Sequence, residues 1–274
     1  MKGKYSMFYD AKNGRIDVEN TYMDYIAFGK GEKNIILIPG LGEGLMSFKG
    51  LATPFSIMYK MFAKEYKVYI FSRRKLILNG FSTKDMANDL VKAMNFLKID
   101  KAHIIGVSQG GMIAQYIAID NPEKVDKLVL VVTTARKNQL MENCINKWVE
   151  LAKNKDFEAI MLDTAEKSYV GKYLEKTKKV SGAIGPLGKN ATYDRFITQA
   201  KACESHNTYE QLDKIKAQTL IIGAGQDKVL GIEGSLELAE KIKFSELYIY
   251  DEYSHGVYEQ AKDFNKRIFE YLKK

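Results

Sequence analysis

One stretch of this sequence has residue types and a spacing that could do chemistry, Gly106-Val107-Ser108-Gln109-Gly110. An apolar strand is predicted directly before Ser108, at 102–107, and a helix pattern begins directly after it. A serine on such a tight turn is forced into strained backbone angles with a positive φ, so that its hydroxyl stands clear of the sheet edge. The setting favours Ser108 as a nucleophile over the alternative, a glycine-rich turn in which a serine caps the helix.

A serine hydroxyl is a weak nucleophile at neutral pH and needs a neighbouring base. The sequence has three histidines. His103 begins the predicted nucleophile strand, about 16 Å from Ser108 by strand rise, so we expect it to be structural. His206 lies in a polar stretch and is expected at the surface or at the capped end of a helix. His255 follows the last predicted strand, which places it at the carboxyl edge of a parallel sheet, where ligand sites gather. We therefore predict that His255 is the base.

The base in turn needs an acid that orients its ring, and two aspartates are candidates. Asp227 follows an apolar strand and a glycine turn, so it too is expected at the carboxyl edge of the sheet. From there its carboxylate could accept the imidazole Nδ1–H and stabilise the imidazolium. Asp251 is nearer to His255 in sequence, but it follows its strand too closely to fold back and is kept as a reserve. The predicted catalytic set is Ser108, Asp227 and His255.

The elements that position these residues alternate along the chain. Strand patterns are predicted at 35–38, 67–72, 102–107, 128–133, 218–223 and 245–250, with helix patterns between them. This alternation predicts an α/β fold, a mostly parallel sheet with helices on both faces. Residues 5–30 alternate loosely and are predicted to form antiparallel edge strands joined by a turn at Asn13-Gly14.

Between 136 and 212 the strand patterns stop and helix patterns take over. We predict that 136–212 form an inserted helical cap, or lid, over Ser108, and that 1–135 and 213–274 together form the core. The cap carries apolar and aromatic side chains that could line a substrate pocket, although packing between cap helices would explain each of them equally well. They are Trp148, Met161, Tyr169, Tyr173 and Phe196.

The order Ser108, Asp227, His255 matches the α/β-hydrolase arrangement. With these residues and the intervening elements, nearly the whole chain resembles an α/β-hydrolase-fold protein with a helical cap. The resemblance implies a serine hydrolase with an oxyanion hole made by the backbone N–H groups of Leu41 and Gln109. If only their backbone is used, substituting either side chain should have little effect.

Two segments depart from the pattern that such proteins usually carry. Where His-Gly-x-Gly is usual after the third strand, this chain has Pro39-Gly40-Leu41-Gly42. Where Asp-x-Arg-Gly-x-Gly-x-Ser is usual after the fourth strand, the segment begins Ser72-Arg73-Arg74. The departures affect the packing of the oxyanion loop but not the donors, which are backbone groups.

The preferred hypothesis is a serine hydrolase that cleaves a carboxylic ester or a related small acyl substrate through an acyl-enzyme on Ser108. The alternatives keep the same fold. The triad could instead serve C–C bond or lactone hydrolysis, acyl transfer or perhydrolysis, or the protein could be a non-catalytic ligand-binding module. None of the hydrolytic readings needs a metal or an organic cofactor.

Composition narrows the possible partners. The formal net charge is +8, but lysines and arginines are spread among acidic residues, which favours a solvated surface over a nucleic-acid footprint. No apolar run approaches the roughly 18 residues of a membrane-spanning helix, and no signal peptide is recognised. Cys144 and Cys203 lie far apart with no metal-ligand spacing, as expected for free thiols in the cytoplasm. The expected partner is a small molecule, and the oligomeric state is left open.

Overall fold

The computed structural model describes residues 8–181, 186 and 188–274. Its strands form one sheet in the order β1-β2-β4-β3-β5-β6-β7-β8. From β4 to β8 all neighbouring strands are parallel, while β1 pairs with β2 and β2 with β4 in antiparallel fashion. The predicted mostly parallel sheet is therefore confirmed. The strands are β1 (Lys12–Val18), β2 (Thr21–Phe28), β3 (Lys33–Ile38), β4 (Tyr66–Phe71), β5 (Ala102–Val107), β6 (Val125–Val131), β7 (Gln218–Ala224) and β8 (Ser245–Tyr250).

Helices cover both faces of this sheet. They are α1 (Ala52–Met58), α2 (Lys60–Ala63), α3 (Thr83–Phe96), α4 (Gln109–Asp120), α5 (Gln139–Lys153), α6 (Phe157–Ser168), α7 (Gly171–Ser181), α8 (Tyr193–Glu204), α9 (Glu233–Lys241), α10 (Val257–Gln260) and α11 (Phe264–Lys273). Short 3-10 helices span Leu41–Gly44, Pro122–Lys124 and Tyr209–Lys214. None of the helices in the described part of the chain is long and apolar enough to cross a membrane.

The core has two layers because the central strands are apolar on both faces. Ile36 points into the layer that α3, α4 and α9 cover, where it joins buried side chains such as Ile113. Its neighbour Ile35 points into the opposite layer, under α1, α2 and α11, with Ile268. This alternation follows from the two-residue period of a strand, and burial on both faces is what an interior parallel strand requires.

The predicted turn at Asn13-Gly14 is wrong. Both residues lie inside β1, and Gly14 pairs with Tyr25 of β2. A Cβ at Gly14 would lie only 2.3 Å from the Tyr25 ring, so the glycine makes room for an aromatic ring rather than for a turn. The strands reverse instead after Val18, where Glu19 adopts a positive φ of 55°.

Helices α5 to α8 lie between β6 and β7 and are called the helical insertion below. The N-terminus of α5 is capped by Asn138, whose side chain accepts the Met141 N–H at 2.8 Å. One face of α5 is buried in a third apolar cluster, which also contains Phe196 of α8. Leu41, in the 3-10 helix after β3, and Met112 of α4 belong to the same cluster. The insertion is thus packed on the segments next to Ser108.

Candidate active site

Ser108 sits at the junction of β5 and α4 with a φ of 54° and a ψ of −119°. The predicted positive φ is confirmed. A Cβ at Gly110 would lie 2.0 Å from the carbonyl oxygen of Ile38, so only glycine fits where α4 passes β3. The Thr133 hydroxyl donates a hydrogen bond to the Ser108 carbonyl at 2.8 Å, which ties the turn to the end of β6.

The structure brings Ser108, Asp227 and His255 together. His255 Nε2 lies 3.0 Å from Ser108 Oγ, and His255 Nδ1 lies 2.8 Å from Asp227 Oδ2. The other carboxylate oxygen, Oδ1, accepts the backbone N–H groups of Val229 and Leu230 at 2.8 and 3.0 Å. Asp227 and His255 are both buried. A proton could therefore pass from the hydroxyl to an imidazole whose orientation the carboxylate determines.

A buried serine that sequence reasoning missed links the loops that carry Asp227 and His255. The Ser254 hydroxyl lies 2.6 Å from the Gln226 carbonyl oxygen and 2.5 Å from that of Lys167, and it accepts the Lys228 N–H at 3.3 Å. Because Ser254 directly precedes His255, these bonds hold in place the backbone that carries the imidazole. A serine before a histidine carries no recognisable signal in the sequence.

The remaining candidates lie away from Ser108. His103 is buried at the start of β5, as expected, and burial lowers its pKa to about 4. Asp251 is exposed. Of the two positions expected for His206, the surface is wrong, since its side chain is only 2% exposed and its Nδ1 lies 2.9 Å from the Thr83 hydroxyl. His206 does lie at a helix end, directly after Ser205, the C-cap of α8. Burial lowers the pKa of His206 to about 3, so the ring is neutral in the fold.

The predicted oxyanion-hole segments border Ser108. A Cβ at Gly40 would lie 3.4 Å from Ser108 Cβ, so the loop after β3 runs directly past the serine. Leu41 begins a 3-10 helix and Gln109 begins α4. As the first residues of helical turns, both have an N–H group without an intrahelical acceptor. Such groups can bind negative charge on a substrate oxygen.

The family model for the α/β hydrolase fold matches residues 33–262. The chain belongs to the α/β-hydrolase fold family. It is 22% identical to a putative carbamate hydrolase RutD of Rhizobium rhizogenes over 88% of this chain and 93% of that protein. It is 18% identical to 3-oxoadipate enol-lactonase 2 of Acinetobacter baylyi over 94% of this chain and 96% of that protein.

Solved structures show the same fold. An α/β hydrolase enzyme from a Medee basin deep-sea metagenome library superimposes with a TM-score of 0.86 at 20% identity, over 95% of this chain and 98% of that one. The enol-lactonase from Burkholderia xenovorans gives a TM-score of 0.81 at 18% identity, over 95% of this chain and 100% of that one.

In this α/β-hydrolase-fold protein the segments after β3 and β4 differ from the motifs expected there. The structure joins them in a buried charge cluster that sequence reasoning missed. Glu43, in the 3-10 helix after β3, accepts two bonds from Arg195 Nη2 of α8, at 2.6 and 2.7 Å. Arg195 also donates to the carbonyl oxygens of Glu43, Arg73 and Arg74, at 2.6, 3.0 and 3.1 Å. A single arginine of the insertion thus binds both of the segments, after β3 and after β4, whose sequences differ from the expected motifs. Glu43 and Arg195 are so far apart in sequence that no short motif could have revealed the pair.

The Gln109 side chain is also part of this site. Its Oε1 accepts a bond from Arg73 Nη2 at 3.2 Å, and its Nε2 donates to the Gln199 carbonyl at 2.8 Å. Gln109 is 1% exposed. The sequence predicts little effect of substituting Gln109 if only its backbone N–H is used. Because its side chain also makes these buried contacts, that condition is not met.

The five predicted pocket residues divide into two groups. Trp148 and Phe196 are buried in the apolar cluster that contains Leu41, and Met161 packs at its margin. The Trp148 indole donates to Asp163 Oδ2 at 2.7 Å. These residues share an apolar cluster with Leu41, and their lining of a substrate pocket stays a prediction.

The second group, Tyr169 and Tyr173, lies beside the loop that carries His255. A Cβ at Gly256, the residue after His255, would be 2.4 Å from the Tyr169 ring. The Tyr169 hydroxyl donates to Glu259 at 2.5 Å, and its ring centroid is 4.8 Å from that of Tyr173. No group of three or more acidic, histidine or cysteine side chains in the described residues is arranged to hold a metal ion.

Proposed function

We propose that this protein is a serine hydrolase that cleaves a carboxylic ester or a related small acyl compound through an acyl-enzyme on Ser108. The observation that carries the proposal is the hydrogen-bonded chain from Ser108 Oγ through His255 to Asp227. Relatives named as hydrolases that match most of the chain support its broader part, that the protein is a hydrolase.

In this mechanism Ser108 Oγ attacks the carbonyl carbon while His255 Nε2 takes the hydroxyl proton. Asp227 accepts the Nδ1–H bond and stabilises the imidazolium. The N–H groups of Leu41 and Gln109 bind the oxygen of the tetrahedral intermediate. When the C–O bond to the leaving group breaks, the imidazolium gives its proton to the departing oxygen. Water then attacks the acyl-enzyme with the same base, and Ser108 is regenerated.

We assign the helical insertion the role of a cap over this chemistry. Its α8 is joined to the oxyanion loop through Arg195, and the end of α6 is joined to the base loop through the Gly256 N–H, which donates to the Ser168 carbonyl at 2.7 Å. An apolar cover that excludes water strengthens every electrostatic contact beneath it. The substrate is accordingly a small molecule with an apolar acyl or alcohol part.

A second candidate is lactone or C–C bond hydrolysis with the same triad. It is favoured by relatives named 3-oxoadipate enol-lactonase 2 and 2-hydroxy-6-oxononadienedioate/2-hydroxy-6-oxononatrienedioate hydrolase 2, the latter 23% identical over 97% of this chain and 96% of that protein from Pseudomonas putida. The fold accommodates all of these reactions, so substrate panels decide among them.

The test compares the wild type with Ser108→Ala. We expect a fluorophosphonate probe to label the wild type only, and p-nitrophenyl acetate hydrolysis to be lost in the variant. Labelling or turnover that does not depend on Ser108 would contradict the proposal. A panel of p-nitrophenyl esters of rising chain length, an enol-lactone and a vinylogous 1,5-diketone then separates ester, lactone and C–C bond hydrolysis by the largest kcat/KM.

A further inference from the structure

The buried charges behind the oxyanion loop do not balance. They comprise two guanidinium groups, Arg73 and Arg195, and the carboxylate of Glu43. Both oxygens of that carboxylate bind Arg195 Nη2. Arg73 reaches the carboxylate only through its backbone N–H, at 3.3 Å. Within the described residues no acidic side chain forms an ion pair with the Arg73 guanidinium.

The Arg73 side chain is also incompletely hydrogen-bonded. The residue is 5% exposed, and its Nε and Nη1 atoms have no hydrogen-bond partner within the described chain. Desolvation lowers the pKa of Arg73 to about 10, so the group still carries its charge at neutral pH. The Glu43 charge offsets part of this desolvation, but both of its carboxylate oxygens already bind Arg195. A buried cation with no ion-pair partner of its own is destabilising.

The position of the Arg73 guanidinium suggests a function for its charge. Arg73 Nη2 donates to the carbonyl oxygen of Pro39, two residues before Leu41, and to the side chain of Gln109 at 3.2 Å. These two segments carry the N–H groups of the proposed oxyanion hole. The guanidinium therefore lies directly behind the place where negative charge forms during the proposed reaction.

We propose that Arg73 is a positioning residue whose unpaired buried charge stabilises the substrate oxyanion through the Pro39–Leu41 and Gln109 segments. The anionic oxygen then adds a second negative charge beside that of Glu43, which Arg73 shares with Arg195, and it is present only when the tetrahedral intermediate forms. Such a fixed charge favours the transition state over the neutral ground state, which is how electrostatic preorganisation accelerates a reaction. The inference rests on the proposed function of Ser108.

The size of the effect follows from Coulomb's law. For a separation on the order of 8 Å and an effective dielectric constant of about 20, a unit positive charge favours an equilibrium that creates the oxyanion by about 30-fold. The same change corresponds to a shift of about 1.5 units in the pKa of a hydroxyl at that position.

The experiment measures that pKa directly. A peptidyl or alkyl trifluoromethyl ketone adds to Ser108 as a hemiketal whose hydroxyl occupies the oxyanion hole, and its ionisation is followed by ¹⁹F NMR as a function of pH. Arg73→Gln and Arg73→Met both remove the charge but have side chains of different shape, so the test can be made with whichever variant folds. Arg73→Lys keeps the charge. The control is Lys75→Gln, because Lys75 is an exposed cation of the same loop.

We expect the hemiketal pKa to rise by 1 to 2 units in the two neutral variants, by less in Arg73→Lys, and not at all in Lys75→Gln. Their kcat for p-nitrophenyl acetate should fall about 30-fold with little change in KM. A purely structural role would leave the pKa of the adduct unchanged, and that result overturns the inference while leaving the proposed function intact. Failure of the wild type to form any adduct at Ser108 overturns both.

Discussion

Replacing Asp227 by asparagine tests the proposed chemistry with almost no change in shape. In the fold, Asp227 Oδ1 accepts two backbone N–H groups, from Val229 and Leu230, while Oδ2 faces His255 Nδ1. An asparagine must keep its oxygen toward the two backbone donors, because its NH₂ group cannot accept hydrogen bonds. The NH₂ group is therefore directed at His255 Nδ1.

The consequence is a tautomer switch. Facing a donor, Nδ1 of the neutral imidazole must act as the acceptor, so its proton moves to Nε2. Nε2 then lies 3.0 Å from Ser108 Oγ as a donor and can no longer take the hydroxyl proton. The equivalent exchange in a serine protease lowers kcat by about 10⁴, and a factor of that size corresponds to roughly 5 kcal/mol of transition-state free energy.

The assay is kcat/KM for p-nitrophenyl acetate, with thermal unfolding followed in parallel. We expect Asp227→Asn to fold with a melting temperature close to that of the wild type and to lose activity by about 10³- to 10⁴-fold. Asp251→Asn, which removes the other aspartate near His255 in sequence, should behave like the wild type because Asp251 is exposed. A folded Asp227→Asn variant that retains activity within tenfold would refute the assigned role of the carboxylate.

Three further outcomes are expected. Glu43→Gln should lower the free energy of unfolding, measured in urea, by about 3–5 kcal/mol, because it leaves the buried Arg195 charge without its carboxylate partner. Adding Arg195→Met should recover part of this loss. A loss below about 1 kcal/mol in Glu43→Gln would contradict the reasoning. His206 is neutral in the fold with its pKa lowered to about 3, whereas the unfolded chain takes up a proton below about 6.5. Stability measured by denaturation should therefore fall as the pH drops from about 6.5 to 3, and less steeply in His206→Gln. Gly110→Ala should cost about 3 kcal/mol or more in the same assay, since its Cβ would lie 2.0 Å from a backbone carbonyl oxygen, whereas Gly42→Ala, with open space around its Cβ, should cost far less.

The fold and the proposed catalytic residues were predictable because their signals are local. The strand before Ser108, the glycines around it and the helix after it are contiguous, so sterics alone predict the strained turn. Parallel strands end at one edge of a sheet, and this topological rule places Asp227 and His255 near Ser108 without any knowledge of their contacts.

Other features depend on partners that the sequence does not place side by side. The Asn13-Gly14 pair is typical of a hairpin turn, but the Tyr25 ring across the strand pair occupies the space beside Gly14. His206 stands in a polar stretch, yet the end of the helical insertion packs it against Thr83. In both cases a neighbour distant along the chain overrides a local preference.

The unbalanced charge behind the oxyanion loop belongs entirely to the tertiary structure. Glu43 and Arg195 are 152 positions apart, and nothing in either neighbourhood indicates that one neutralises the other and leaves Arg73 unpaired. Sequence alone determined the local backbone strain and the order of the elements, because both follow from short-range sterics and periodicity. Which buried charges are paired depends on distances of a few ångströms between remote segments, and only the folded chain sets those distances.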